Sequence, residues 1–270
     1  MWKLDWDDAF NNFVNVDNPN SLIEEWRERS SSFKSNSIAI GKMELDIPYG
    51  DHPREKYDMF LPKKQSGGTV IFLHGGFWFR TGREHWSFTA QGILSQGWSV
   101  IIPSYPQAPD VKITQITHSI SKLVNKILDD CNGSVRMIGH SAGGHLASRM
   151  ICKNFLKKNM GKQIEKVISV SGLYDLRPLL MTKLNDILKL NYEEAVHESC
   201  FLYDPIDTKL TCWVGASERP EFLRQNRILA EAWSKKSNNI ESYYDPGKDH
   251  FTVIDQLEEK ESLLTQSITK

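Results

Sequence analysis

Short apolar runs alternate with helical patterns along most of the chain. The run Thr69–Leu73 is continuously apolar, as in a strand buried on both faces. Further strands are predicted at residues 99–103, 134–138, 166–170, 210–214 and 240–244. Helical patterns separate the strands, at residues 85–96, 113–130, 221–237 and 252–267, with one more helix after Ser141. This alternation predicts an α/β fold, with a mostly parallel central sheet and helices on both of its faces.

The first part of the chain has a different pattern. Residues 1–37 predict a helical segment that packs on the outside of the domain, with Ser21 as a helix cap and Glu24 completing a capping box. Residues 38–47 and 56–61 alternate between apolar and polar positions. This alternation predicts an antiparallel hairpin at the edge of the sheet.

Residues 172–205 also depart from the strand–helix alternation. Their pattern is helical but irregular, and we expect them to form an insertion near the site. The sequence contains no internal repeat and no linker-like stretch. We therefore expect a single domain that spans residues 1–270.

Composition and charge favour a soluble enzyme in the cytoplasm. Hydrophobic residues make up 40% of the 270 positions, and the formal net charge of −1 gives no electrostatic case for nucleic acid or an anionic membrane as partner. No apolar run approaches the roughly 20 residues that span a bilayer, and the acidic N-terminus resembles no secretory signal. Four widely spaced cysteines form no C-x-x-C pair, which favours reduced thiols and no metal site: Cys131, Cys152, Cys200 and Cys212.

Residues 139–143 read Gly-His-Ser-Ala-Gly, between a predicted strand and a predicted helix. A strand that runs directly into a helix through a serine needs a tight turn, and the flanking glycines relieve the resulting clash. The turn would leave the Ser141 hydroxyl free at the end of the sheet, beside a helix N-terminus that favours negative charge. Ser141 is therefore the candidate nucleophile.

A glycine-containing loop follows the buried strand Thr69–Leu73 and reads His-Gly-Gly-Phe-Trp. Glycines let the main chain approach a substrate closely, so the amides of Gly76 and Phe77, together with that of Ala142, are candidates for an oxyanion hole. A tight turn without function is the alternative. We expect His74 to stabilise the loop, because it precedes the serine in the chain.

His250 lies in a predicted loop between the last strand and the last helix. In the chain order serine, acid, histidine, this is the position of the catalytic base. The near-neutral pKa of histidine suits a group that takes the serine proton and later returns it to the leaving group. We expect structural roles for the histidines in helical patterns, namely His85, His118, His145 and His197.

The third member of the triad is a carboxylate that orients the base. We expect it just after the strand at 210–214, where Glu218 is reached first. Glu221 would open the following helix, where an acid is favoured by the helix dipole alone. Asp249 and Asp207 also remain open.

These motifs resemble the kynurenine formamidase (arylformamidase) type of α/β-hydrolase, related to the hormone-sensitive-lipase-like esterases. The resemblance rests on the H-G-G-x-W motif at 74–78 and the G-H-S-A-G-G-H-L stretch at 139–146, and extends from about residue 70 to the end. It implies that Ser141, Glu218 and His250 occupy the triad positions. The family usually carries Asp followed by Ser-Pro-Glu-Phe, where this chain has Glu218 followed by Arg-Pro-Glu-Phe.

We expect the substrate to contact the oxyanion loop and aromatic residues that follow strand ends. The predicted substrate-binding residues are His74, Gly75, Trp78, Tyr105 and Tyr174. Core packing is the alternative for each aromatic residue.

The sequence thus predicts a serine hydrolase that needs no cofactor and cleaves a small formamide or ester through an acyl-enzyme. The resemblance implies N-formyl-L-kynurenine as the leading substrate and hints at a homodimer, which no residue pattern establishes. One alternative is a carboxylesterase acting on short acyl or aryl esters. The other is a non-catalytic, ligand-binding member of the fold.

Overall fold

The parallel strands of one sheet bring four loops to a common edge. A computed structural model describes residues 4–14, 19–131, 133–153, 155–156, 163–237 and 239–270. Within these residues the strands are β1 (Ile40–Pro48), β2 (Lys56–Pro62), β3 (Thr69–Leu73), β4 (Ser99–Pro103), β5 (Val135–His140), β6 (Ile164–Val170), β7 (Lys209–Gly215) and β8 (Ile240–Asp245). They form one eight-stranded sheet in the order β1-β2-β4-β3-β5-β6-β7-β8.

The sheet is antiparallel only at its N-terminal edge. β1 pairs with β2, and β2 with β4, in the antiparallel sense, whereas the remaining pairs are parallel. The predicted α/β class, the parallel sheet and the edge hairpin are therefore confirmed. Because parallel strands share the same carboxyl edge, the loops after β3, β5, β7 and β8 lie together.

Helices cover both faces of the sheet. Within the described residues they are α1 (Trp6–Ala9), α2 (Pro19–Asn36), α3 (Ala90–Ser95), α4 (Ile113–Asp130), α5 (Ala142–Met150), α6 (Asn185–Leu188), α7 (Tyr192–His197), α8 (Pro220–Ser234), α9 (Thr252–Asp255) and α10 (Leu263–Thr269). Alternate side chains of β3 enter opposite layers: Ile71 and Leu73 join one hydrophobic cluster, and Val70 and Phe72 join the other. This two-sided burial explains the continuous apolar run of β3.

Several helix boundaries differ from the sequence prediction. The pattern at 85–96 forms two 3₁₀ turns before α3, because the Thr89 hydroxyl bonds the Trp86 carbonyl at 2.7 Å and competes with helical pairing. The pattern at 252–267 is also interrupted, and the Ser262 side chain caps a separate α10. Ser21 is not the cap of α2, which begins two residues earlier at a proline suited to a first helical position.

The segment 172–205 contains several short helices. Besides α6 and α7 it holds 3₁₀ turns at Arg177–Met181 and Cys200–Leu202. Leu176, Leu188 and Ala195 anchor it in the hydrophobic core. Among the described residues, no helix combines the length and the hydropathy that a membrane span requires.

Candidate active site

The turn between β5 and α5 holds Ser141 in a strained conformation. Its φ of 56° and ψ of −119° are rarely adopted by a residue with a side chain. A Cβ on Gly143 would lie 2.0 Å from the carbonyl oxygen of Leu73, so α5 begins in contact with the end of β3. The glycine pattern therefore serves the close strand-to-helix turn that the sequence predicts.

Ser141, His250 and Glu218 form a continuous hydrogen-bonded chain. The Ser141 Oγ lies 3.1 Å from His250 Nε2, and His250 Nδ1 lies 2.7 Å from Glu218 Oε2. All three side chains are buried. The carboxylate of Glu218 accepts a hydrogen bond from Nδ1–H, which leaves Nε2 unprotonated and able to accept a hydrogen bond from the serine hydroxyl.

Other contacts fix the carboxylate of Glu218. Its Oε1 accepts the amide of Gly215 at 2.9 Å and the Ser171 hydroxyl. β7 and β8 pair through Gly215 and Asp245, and the amide of Ser217 donates to the Lys248 carbonyl at 2.9 Å. The acid loop and the base loop are thus joined by the backbone of adjacent strands.

The other candidate acids bond elsewhere. Glu221 bonds Arg224 and Gln225, Asp249 caps the start of α9, and Asp207 accepts from Asn239. Glu218 is the carboxylate that bonds the His250 ring among the described residues. This contact favours Glu218 among the four candidate acids.

The loop after β3 packs directly against Ser141. A Cβ on Gly75 would lie 3.1 Å from the Ser141 Cβ. Three successive residues have positive φ, with values of 113° at Gly76, 49° at Phe77 and 62° at Trp78. Gly76 and Phe77 border the same cavity as Ser141, and Ala142 is the first residue of α5. The three residues proposed for the oxyanion hole therefore surround the serine.

The predicted aromatic substrate residues are part of the core instead. Trp78, Tyr105 and Tyr174 are fully buried, and none of them borders the described cavity at Ser141. Trp78 Nε1 donates to His145 Nδ1 at 3.3 Å, and Tyr174 donates to Ser169 Oγ at 2.7 Å. Their polar atoms have partners inside the protein, so the core-packing alternative holds for all three.

His74 also lies beneath the loop, away from the substrate side. The ring is completely buried and stacks on Tyr105 with centroids 4.4 Å apart. Its Nδ1 bonds the Gly75 carbonyl at 2.7 Å, and burial lowers the pKa of His74 to about 3. A neutral ring in this position supports the backbone of the loop and does not line the cavity at Ser141.

A small cavity of about 30 Å³ opens beside Ser141 and His250. Its walls combine aromatic and polar side chains that the sequence analysis did not single out: Asn12, Phe13, Trp26, Trp86, His140 and Phe251. A second cavity of about 440 Å³ shares Phe13, Phe77 and Arg80 with the first. The two cavities adjoin at these shared residues.

The N-terminal segment covers this site. Phe13 packs on Phe251 with ring centroids 5.0 Å apart, and Asp8 forms an ion pair with Arg219. The amide of Lys183 donates to Asp7 at 2.6 Å. Arg219 directly follows Glu218 in the acid loop, so its ion pair with Asp8 ties the N-terminal segment to that loop.

The comparisons with known proteins agree with this geometry. The BD-FAE family model matches residues 57–209, more than half of the chain. The chain belongs to the BD-FAE family.

Several curated relatives of this family member are named kynurenine formamidases. The enzyme from Salmo salar is 30% identical over 84% of this chain and 81% of its own length, and that from Danio rerio is 29% identical over 84% and 80%. A solved structure from Silicibacter sp. TM1040, provisionally described as a thioesterase, is 36% identical, with a TM-score of 0.92 over 99% of this chain and 100% of the other. This BD-FAE family member is a kynurenine formamidase-like α/β-hydrolase, and the non-catalytic alternative is set aside.

Proposed function

We propose that Ser141, His250 and Glu218 hydrolyse an aryl formamide through a formyl-enzyme, with N-formyl-L-kynurenine as the leading substrate. The observation that carries the mechanism is the hydrogen-bonded chain from Ser141 Oγ through the His250 ring to Glu218. The observation that supports the substrate is the name shared by the relatives from Salmo salar and Danio rerio.

In the first step His250 Nε2 takes the hydroxyl proton while Ser141 Oγ attacks the formyl carbon. The imidazolium that forms is stabilised by Glu218, whose carboxylate lies 2.7 Å from Nδ1. His250 then gives its proton to the leaving nitrogen, and the C–N bond breaks to release the arylamine. Water then attacks the formyl ester while His250 takes its proton, and His250 returns a proton to Ser141 Oγ as the ester bond breaks. This step yields formic acid and restores the serine.

Negative charge develops on the formyl oxygen in both steps. The amides of Gly76, Phe77 and Ala142 are the proposed donors to this oxygen. Gly76 and Phe77 border the cavity at Ser141, and Ala142 begins α5, where the helix dipole also favours an anion. Loss of one such donor typically costs about 3–4 kcal/mol of transition-state stabilisation.

The two adjoining cavities suggest where the acyl group and the leaving group of the substrate bind. A space of about 30 Å³ beside Ser141 suits a one-carbon acyl group, whereas the cavity of about 440 Å³ suits an aromatic leaving group. Phe10, Phe13, Phe77 and Phe79 line the larger cavity. Arg80 lies at the junction and would attract an anionic substituent of the leaving group.

The proposed setting is the cytoplasm. Cys131, Cys152, Cys200 and Cys212 are free thiols, which persist in a reducing compartment. The proposed chemistry uses side chains, backbone amides and water. The small-molecule partner and the homodimer stay predictions.

A fluorophosphonate label together with paired substrates tests the proposal. We expect stoichiometric labelling of the wild type and none of Ser141→Ala, and we expect kcat/KM for N-formyl-L-kynurenine to exceed that for p-nitrophenyl acetate. A folded wild-type protein that resists the label would overturn the serine mechanism. An ester preference of several orders of magnitude would overturn the formamide assignment and favour the esterase alternative, which the thioesterase description of the Silicibacter protein supports.

A further inference from the structure

Asn12 is a buried carboxamide beside the proposed nucleophile. The residue is 8% exposed, and neither its Oδ1 nor its Nδ2 has a hydrogen-bond partner among the described residues. It borders the same cavity as Ser141 and His250. Burying an amide group without hydrogen-bond partners is unfavourable. A carboxamide held in this way therefore points to a ligand that supplies the missing hydrogen bonds.

The surrounding contacts hold Asn12 at this wall of the cavity. The next residue, Phe13, packs on Phe251, which follows His250 in the chain. On the other side, the Asn11 side chain accepts the Phe13 amide at 3.1 Å, and Asp8 pairs with Arg219. The segment is therefore anchored on both sides of Asn12 to the loops that carry the proposed acid and base.

The size of the cavity brings Asn12 close to the reacting atoms. About 30 Å³ is enough for a water molecule or two, so a group that touches one wall is near the others. A formyl carbon bonded to Ser141 Oγ, with its leaving atom at His250 Nε2, would occupy this space. The substituents of the leaving atom would then lie within reach of Asn12.

An amide and an ester differ at that leaving atom. When Ser141 attacks an amide, the nitrogen becomes pyramidal, and its lone pair must point at His250 to receive the proton. The hydrogen already on the nitrogen then points away from His250 and needs an acceptor of its own. An ester oxygen carries no hydrogen and makes no such demand.

We propose that Asn12 is a substrate-binding residue whose Oδ1 accepts the N–H of the scissile amide, and that it sets the preference for formamides over esters. The inference rests on the proposed serine mechanism and deepens it. An ester would leave the buried Oδ1 unpaired, and a site built around such a bond discriminates against a substrate that lacks the donor.

The test compares formanilide with phenyl formate, which share the acyl group and the ring and differ only in N–H against O. Asn12→Leu removes both polar atoms at nearly constant size. We expect it to lower kcat/KM for formanilide by roughly 10- to 100-fold, while kcat/KM for phenyl formate changes less than about threefold. The matched control is Asn125→Leu on α4, a half-buried asparagine away from the site, which should leave the amide-to-ester ratio unchanged.

Equal losses on both substrates, or an unchanged ratio, would overturn the role of Asn12. If Asn12→Leu fails to fold, Asn12→Ala gives the same comparison with a smaller side chain. Failure of the serine mechanism has a separate signature, because the wild type would then hydrolyse neither substrate and resist fluorophosphonate. If the wild type hydrolyses both substrates and the amide-to-ester ratio is unchanged in the variant, the role of Asn12 is refuted and the serine mechanism stands.

Discussion

The Nε2 atom of His140 lies 2.8 Å from the backbone carbonyl oxygen of His250. A carbonyl only accepts, so His140 must carry its proton on Nε2. The ring is completely buried, and burial together with the nearby His250 holds the pKa of His140 well below its usual range. The residue before the proposed nucleophile thus fixes the backbone that carries the proposed base.

Replacing His140 should misplace this base. We expect His140→Leu to lower kcat about tenfold or more with little change in KM, because the carbonyl of His250 loses its donor and the imidazole loses its alignment. His140→Gln can present an N–H at a similar position and should recover part of the loss. Equal kcat values for the two variants, or an effect confined to KM, would contradict a positioning role; the pH profile of kcat serves as the second measurement.

Glu218→Gln should leave the fold intact and lower kcat by roughly 10³-fold. The amide still fills the space beside His250 Nδ1 but cannot stabilise the imidazolium. The matched control is Glu221→Gln three residues later, whose carboxylate bonds Arg224 and Gln225. The measurement is steady-state kinetics of both variants, after their thermal stabilities are shown to be equal. Near-wild-type turnover of Glu218→Gln would reject Glu218 as the orienting acid.

Gly143→Ala should destabilise the protein because the new Cβ would lie 2.0 Å from the Leu73 carbonyl oxygen and 2.7 Å from that of His74. Both neighbours are backbone atoms at the end of β3 and cannot rotate away. We expect the free energy of unfolding to drop by roughly 3 kcal/mol or more, measured by urea denaturation. Gly133→Ala is the control, since a Cβ there has nothing within 4 Å, and similar midpoints for the two variants would refute the prediction.

Acidification should destabilise the fold through three buried histidines. Burial lowers the pKa of His74 to about 3 and of His145 to about 4, and it lowers that of His140 strongly. In the unfolded chain these rings titrate near 6.5, so between about pH 6.5 and 4 the unfolded state binds more protons than the folded one. The free energy of unfolding therefore falls as the pH falls through this window, by about 1.4 kcal/mol per pH unit for each histidine at full slope.

Urea denaturation from pH 7.5 to 4.5 measures this slope. His145→Gln removes one of the three rings. The slope of the unfolding free energy against pH should then decrease by the equivalent of about one bound proton, whatever the stability of the variant at pH 7.5. An unchanged slope would show that His145 is not a source of the effect.

Much of the site was predictable because local patterns carry it. The strand–helix alternation gave the sheet, and chain order along that sheet indicated Ser141 and His250. The sequence left four candidates for the acid. The choice among them depends on the distance between the Glu218 carboxylate, in the loop after β7, and the His250 ring, in the loop after β8. That distance follows from the pairing of two strands and from the Ser217 contact with Lys248, which no local pattern reports.

The sequence by itself determined the fold class, the turn that presents Ser141 and the loop that faces it, because each depends on periodicity or on glycines within a few residues. Only the tertiary structure decided that Tyr105 and Tyr174 belong to the core and that Asn12 borders the site. Burial, and the contacts by which the N-terminal segment covers the site, involve residues far apart in the chain, such as Asp8 and Arg219. The energies of these contacts depend on tertiary packing, which a linear pattern does not encode.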